Sequence, residues 1–213
     1  MATLAQPSGL AIDGETLYWV DPESSALRRV PAGGDGDVET LVGTGLFDYG
    51  DRDGRGKQAQ LQHPQGVALL DDALYVADTY NHRIRVYEPI SKEVGTAAGS
   101  ERGWSDGVAG TVKFDEPGGL SGAGGLLYIA DTNNHLVRVY NPADGSVSTL
   151  TLTNLSAIAG GDARAGDEGR PSVAARGAGS DQSAGDHFRS SGVPPQRFGA
   201  FEAGPGDIER LGG

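Results

Sequence analysis

The chain has 213 residues, including 35 Gly and 11 Pro, and this density of turn residues argues against a helical architecture. It contains no cysteine, which excludes disulfide bonds and Cys-ligated metals, and its formal net charge of −12 disfavours binding to phosphate backbones. No apolar run approaches the roughly 18 residues that cross a bilayer. Residues 1–7 do not resemble a signal peptide, so we expect no membrane contact and a cytoplasmic location.

An internal repeat organises the first three quarters of the chain. Each copy opens with a Pro-x-Gly motif, at Pro7, Pro64 and Pro117. A Tyr follows 11 residues after this Pro, an Asp 14 residues after it and an Arg 21 residues after it: Tyr18, Tyr75, Tyr128; Asp21, Asp78, Asp131; Arg28, Arg85, Arg138. These fixed offsets predict three structural repeats, at about 4–45, 62–100 and 115–153.

Each copy carries the apolar pattern of four short strands, which in the second copy fall at 66–70, 73–77, 83–87 and 94–98. The second strand is apolar throughout, as expected of a strand that is buried on both faces. In the third strand charged and apolar residues alternate, which predicts that one of its faces lies in solvent. Four antiparallel strands repeating at this length predict an all-β fold, a partial β-propeller of three four-stranded blades.

Two segments of the repeat resemble the NHL repeat family. They read Leu-Tyr-Val-Ala-Asp-Thr-Tyr-Asn-His-Arg-Ile-Arg-Val at 74–86 and Leu-Tyr-Ile-Ala-Asp-Thr-Asn-Asn-His-Leu-Val-Arg-Val at 127–139. The first copy departs from the motif, because Asp21 is followed by Pro-Glu-Ser-Ser and the Asn-His pair is missing. Propellers of this family usually have six blades. The resemblance therefore implies that the three blades form half a ring and correspond to the C-terminal half of a longer protein.

A narrower resemblance concerns the segments 46–54 and 61–66. They are similar to the NHL part of proteins that join a thioredoxin-like domain to an NHL propeller. The chain does not contain that domain, and without cysteine its redox chemistry is not carried over. The resemblance implies a second interpretation of the chain, as the remnant of a redox protein.

The repeat stops near Gly160. Residues 160–213 are poor in Val, Ile, Leu and Phe and rich in Gly, Ala, Ser and Arg, so we expect a low-complexity, disordered tail. A natural flexible tail and a frameshifted C-terminus both fit this composition.

Strand direction predicts that the loops between second and third strands share one face of the propeller with the segments that enter each blade. Polar loops of this kind are where a propeller binds its ligands. The candidate binding residues on this face are Asp78, Tyr80, Asn81, His82, Asp131, Asn133, Asn134 and His135, with Asp51 and Asp53 in the long loop 43–62. Asp78 is also expected to cap the backbone N–H groups of its own turn.

Metal, cofactor and nucleic-acid sites are not predicted. We expect His82 and His135 to pack against and hydrogen-bond their own turns, because repeat-equivalent residues lie one blade apart and seldom converge on one ion. The segment 51–54 lacks the acidic partners of a calcium loop, since Tyr49 and Gln60 stand where acids are needed, so we expect a solvated acidic loop. Residues 1–159 carry 11 Arg and Lys against 21 Asp and Glu, which disfavours RNA.

The composition and motifs favour a non-catalytic scaffold that presents its loop face to a protein or peptide partner. The redox remnant is the first alternative, and a lyase- or lactonase-like enzyme with a metal in the propeller channel is the second. Three blades leave two apolar flanks, which we expect around Ala11 and Trp19 and around Leu127 and Ile129. We therefore expect either a homodimer, which would cover the flanks by completing a six-bladed ring, or an unstable fragment.

Overall fold

The computed structural model describes residues 4–153, which form three antiparallel sheets. Each sheet is one blade and contains one copy of the repeat. The strands of the first blade are β1 (Leu10–Asp13), β2 (Thr16–Asp21), β3 (Ala26–Pro31) and β4 (Glu39–Val42). Those of the second are β6 (Gly66–Leu70), β7 (Ala73–Asp78), β8 (Arg83–Tyr87) and β9 (Glu93–Ala98). Those of the third are β11 (Pro117–Ala123), β12 (Leu126–Asp131), β13 (Leu136–Asn141) and β14 (Ser146–Thr149). The predicted partial β-propeller is confirmed.

A short strand is added to the outer edge of the second and third blades. The strand β5 (Gly54–Arg55) pairs with β9, and β10 (Gly107–Val108) pairs with β14, both antiparallel. Each comes from the segment that enters its own blade, so the entering segment is fixed to the outer strand. Two residues carry no recognisable strand period, which is why the sequence pattern predicted four strands and missed the fifth.

The blades pack face to face through alternating side chains. Tyr18, Val20 and Leu27 of the first blade lie in one buried cluster with Leu74, Val76 and Tyr87 of the second. Tyr75, Ala77 and Ile84 of the second blade lie in another with Leu127, Ile129 and Tyr140 of the third. Successive strand residues point to opposite faces. The middle blade is therefore buried on both sides, as its apolar second strand predicted.

The outer flanks differ from the prediction. Leu127 and Ile129 are fully buried against the second blade, and Ala11 packs on the cluster between the first two blades. The free side of the first blade carries Trp19, as predicted, which is itself buried, together with its strand neighbour Leu10 and with Ile12, which are 65% and 60% exposed. A shift of one residue along a strand changes the face. The sequence showed which strands were apolar but not which face met a neighbour.

The Pro-x-Gly motif lies where the innermost strands of adjacent blades meet. The Gly9 N–H donates to the Gln65 carbonyl at 3.0 Å. A Cβ added to Gly66 would lie 2.0 Å from the Gly118 carbonyl oxygen of the next blade. Glycine at this position therefore allows a backbone-to-backbone approach that no side chain permits.

The predicted tail at 160–213 lies outside the described residues, as does the stretch that leads to it. Between residues 4 and 153 there is no helix long and apolar enough to cross a membrane.

Candidate functional site

Three one-turn 3₁₀ segments, Pro22–Ser24, Thr79–Asn81 and Thr132–Asn134, join the second and third strands of the blades. Each ends in a residue with left-handed backbone, with φ of 46° at Ser25, 55° at His82 and 57° at His135. Tyr80 N–H donates to the Gln62 carbonyl at 3.1 Å, and Asn133 N–H donates to the Asp115 carbonyl at 3.1 Å. These bonds join the turns to the entering segments 43–65 and 99–116. We call the surface formed by the turns and these two segments the loop face.

The two repeat aspartates hold the loop face together from inside. The Asp78 carboxylate accepts hydrogen bonds from Gln62 N–H at 2.7 Å, Asn81 Nδ2 at 2.9 Å and Arg85 Nε at 2.8 Å. The sequence predicted that Asp78 caps the backbone N–H groups of its own turn, and this is wrong. Its carboxylate instead accepts the backbone N–H of the segment that enters the blade. Asp131 repeats the arrangement with Asp115 N–H, Asn134 and Arg138.

Burial decides which predicted binding residues reach a partner. Asp78 and Asp131 have no exposed surface, and Asn134 is buried with its amide on Asp131 and on the Gly103 carbonyl. These three buried side chains support the loop face from inside. Tyr80 and His135 are exposed, and Asn133 is half-buried. Binding by these three remains a prediction.

The arginine of the third strand is buried, although the alternating pattern predicted that it faces solvent. Arg85 is only 2% exposed. Its guanidinium contacts Asp78 inside the blade and both Asp51 and Asp53 of the long loop. Asp51 and Asp53 are therefore not simply a solvated acidic loop, because they neutralise a buried cation and fix the loop to the blade. Arg138 makes the equivalent contacts with Asp131 and Asp106 and lies 5.2 Å above the Phe114 ring.

Burial changes the acidity of the supporting carboxyl groups. It raises the pKa of Asp78 to about 6, although Arg85, Asn81 and Gln62 favour the ionised form. Burial also raises the pKa of Asp131, against its hydrogen bonds to Asn134 and Asp115. On the surface of the same face, a hydrogen bond from the Thr44 hydroxyl lowers the pKa of Asp48.

The two repeat histidines have different surroundings. The His82 Nδ1 accepts a hydrogen bond from Glu116 N–H at 3.1 Å, so it joins the second blade to the segment entering the third. Its backbone N–H donates to the Thr79 carbonyl of its own turn at 3.1 Å, so the residue bonds its own turn through the backbone and the next segment through its ring. His135, at the equivalent position of the third blade, is exposed. Within residues 4–153, no three His, Cys, Asp or Glu side chains are grouped so as to hold a metal ion.

A cleft of about 360 Å³ opens on the loop face between the first two blades. Only Tyr80 of the predicted binding residues lines it, and its ring stacks on His63 with centroids 4.4 Å apart and planes 12° apart. Phe47 and Glu23 also line it and were missed, whereas Tyr49, which lines it too, belongs to the long loop that was predicted to share this face. The available signal was the run Leu-Phe-Asp-Tyr at 46–49, which places three large apolar residues in a loop with no strand pattern.

The sequence profile of the NHL repeat matches residues 61–87 and 114–140. NHL repeat-containing protein 2 of Homo sapiens is 43% identical over 168 residues, an alignment that covers 71% of this chain and 23% of that protein. The protein SUPPRESSOR OF QUENCHING 1, chloroplastic, of Arabidopsis thaliana is 36% identical over 170 residues, covering 73% of this chain and 16% of that protein. The chain thus spans less than a quarter of the length of these relatives.

Among solved structures, an auxiliary nutrient binding protein from Bacteroides ovatus superposes with a TM-score of 0.52 at 23% identity. The superposition covers 64% of this chain and 35% of that protein. At this identity the likeness concerns the fold and not the ligand.

Proposed function

The chain belongs to the NHL-repeat family, and we propose that it is a non-catalytic scaffold that binds a protein or peptide partner on its loop face. The observation that carries the proposal is the cleft between the first two blades, where large apolar side chains stay exposed on a rigid support. Exposed apolar surface in a concave site is typical of binding surfaces.

The rigidity of the loop face supports the proposal. Asp51 and Asp53 fix the long loop to buried Arg85, and Asn81 Nδ2 donates to the Gly50 carbonyl of the same loop at 2.7 Å. A surface that is ordered before binding loses less conformational entropy when a partner arrives. The loop face therefore has the preorganisation that a recognition surface needs.

The proposal is tested by photo-crosslinking from the two opposite faces. Benzoylphenylalanine replaces exposed Thr132 on the loop face or exposed Ile90 in the turn between β8 and β9 on the other face. The full-length chain is irradiated in the cells that produce it, and each adduct is identified by mass spectrometry and remeasured with the purified partner by calorimetry. We expect a specific adduct from position 132 only. Adducts of the same proteins from both positions, or none from position 132, would contradict the proposal.

A further inference from the structure

The loop 43–50 holds aromatic side chains at the mouth of the cleft at an energetic cost. Phe47 is 89% exposed, and its φ of 71° is in the left-handed region that disfavours side chains with a Cβ. Its neighbour Asp48 holds the conformation by accepting hydrogen bonds from Thr44 N–H at 3.1 Å and Gln60 Nε2 at 2.9 Å. The loop is thus built to keep Phe47 in this position, and strain of this kind is typical of functional sites.

The cleft offers three aromatic rings and one free carboxylate. Phe47 and Tyr49 line one part of it, and Tyr80, 47% exposed, lines another while His63 covers one face of its ring. Glu23 on the rim is exposed and has no hydrogen-bond or ion-pair partner among residues 4–153. The negative charge of Glu23 is therefore not compensated within the described part of the chain.

Electrostatics selects a cation for this cleft. The faces of aromatic rings carry partial negative charge and attract cations, most strongly where water is excluded. None of the described lining residues is Arg or Lys, and His63, which also lines the cleft, forms no ion pair with Glu23. The excess of 21 acidic over 11 basic side chains in residues 1–159 adds a long-range attraction for basic segments.

Guanidinium fits this combination better than ammonium does. A guanidinium is planar, stacks on aromatic rings and forms paired hydrogen bonds with a carboxylate, whereas an ammonium is a strongly hydrated point charge. We propose that the cleft lined by Phe47, Tyr49, Tyr80 and Glu23 binds an arginine side chain presented by the partner protein. This inference rests on the proposed function, and it names the chemistry by which the loop face recognises its partner.

The test uses capped arginine as the probe and capped citrulline as its uncharged counterpart. Each is titrated into the ¹⁵N-labelled full-length chain, and binding is followed by amide chemical shifts of the loop 43–50 and of Tyr80. We expect capped arginine to bind with a Kd on the order of 1 mM. Capped citrulline should bind at least tenfold more weakly, because its ureido group has the same shape without the charge.

Three variants locate the site. Phe47→Ser and Glu23→Gln should each weaken arginine binding at least threefold, and both change exposed side chains, so their spectra should otherwise match the parent chain. Ile90→Ser is the control, because it removes an exposed apolar side chain of the opposite face. It should bind like the parent.

Equal binding of arginine and citrulline, or parental binding by Phe47→Ser and Glu23→Gln, would overturn the inference. A specific adduct from position 132 would still support the scaffold function in that case. Loss of that adduct with intact arginine binding would instead count against the scaffold alone.

Discussion

Each blade has one Asp–Arg pair in its interior. Asp78 and Arg85 are joined at 2.8 Å, Asp131 and Arg138 at 2.9 Å, and the looser pair of the first blade, Asp21 and Arg28, at 3.6 Å. Charges survive burial only when they are paired and hydrogen-bonded. Arg138 meets this condition through its two terminal nitrogens, which also donate to the carbonyl groups of Lys113 and Ser105, while its buried Nε has no hydrogen-bond partner among residues 4–153. The pairs therefore act as fixed links between strands and entering segments.

Replacing Arg138 with Met should lower the free energy of unfolding by about 3–5 kcal/mol, because it leaves the buried Asp131 carboxylate unpaired. Arg29→Met is the matched control. The Arg29–Glu39 pair is exposed, and its loss should cost at most about 1 kcal/mol. Urea denaturation of the three proteins measures both values. Equal losses in the two variants would show that burial of the Arg138 pair contributes nothing.

The deficit of Arg138→Met should also depend on pH. Burial raises the pKa of Asp131 above the value of about 3.9 in the unfolded chain. A carboxyl with a raised folded-state pKa stabilises the fold at low pH, and this contribution is lost as the pH rises through the folded-state value. Without Arg138 the pKa rises further, so the deficit should grow between pH 4 and pH 8. A deficit that shrinks over this range would contradict the assignment.

The two repeat histidines allow a second test at the residue scale. His82→Gly removes the imidazole that accepts Glu116 N–H, and it should destabilise the fold by about 1–2 kcal/mol. In His135→Gly, two effects roughly cancel: glycine relieves the strain of the left-handed backbone, but it also raises the conformational entropy of the unfolded chain. The free energy of unfolding should therefore change by no more than about 0.5 kcal/mol. Thermal unfolding compares the two. A larger loss in His135→Gly would mean that its exposed ring has a structural partner.

At the scale of the strand, the inner edge of the propeller depends on glycine. Gly66→Ala places a Cβ against the Gly118 carbonyl oxygen of the next blade and should cost about 1–3 kcal/mol or more. Gly95→Ala is the control within the same blade, since its Cβ would meet only a Val86 methyl group at 3.8 Å. Denaturation midpoints measure both variants. A neutral Gly66→Ala would show that the inner strands separate easily.

Much of the strand scale was predictable because it rests on period and offset. The alternation of apolar residues located β6 and β8. The sequence also showed an Asp and an Arg that recur seven residues apart, as in Asp78 and Arg85. Their pairing was missed because the alternating pattern of the third strand was interpreted as one face exposed to solvent. That face is instead covered by the long loop, whose Asp51 and Asp53 carboxylates contact the Arg85 guanidinium. The cleft was missed for a related reason. Its lining residues come together only when the loop 43–50 and the turns that carry Glu23 and Tyr80 fold side by side, and no periodic pattern in the sequence indicates this.

At the scale of the whole molecule, the two free flanks are complementary by repeat equivalence. Leu127, Ile129 and Tyr140 of the third blade meet the second blade. Their repeat equivalents in the first blade lie on its free side: Leu17, Trp19 and Val30. On the free side of the third blade lie the equivalents of the second-blade residues that meet the third blade: Tyr128, Ala130 and Val137. Both flanks are apolar, as the buried interfaces between blades are. Packing of the third blade of one copy on the first blade of another would therefore repeat an interface already present in the fold.

We propose that two copies close a six-bladed ring in this way, since both equivalent contacts form together under two-fold symmetry and no apolar flank is left open. Light scattering of the folded protein should give twice the chain mass of 21.9 kDa. Ala130→Arg changes an exposed residue of the third-blade flank, so it should leave each chain folded but reduce the mass to that of one chain. Ile90→Arg adds the same charge to the turn between β8 and β9 and should stay dimeric. A parent chain that is monomeric and unfolds cooperatively, or an Ala130→Arg variant that remains dimeric, would show that the flanks do not join, and three blades would then be stable without a partner on either side.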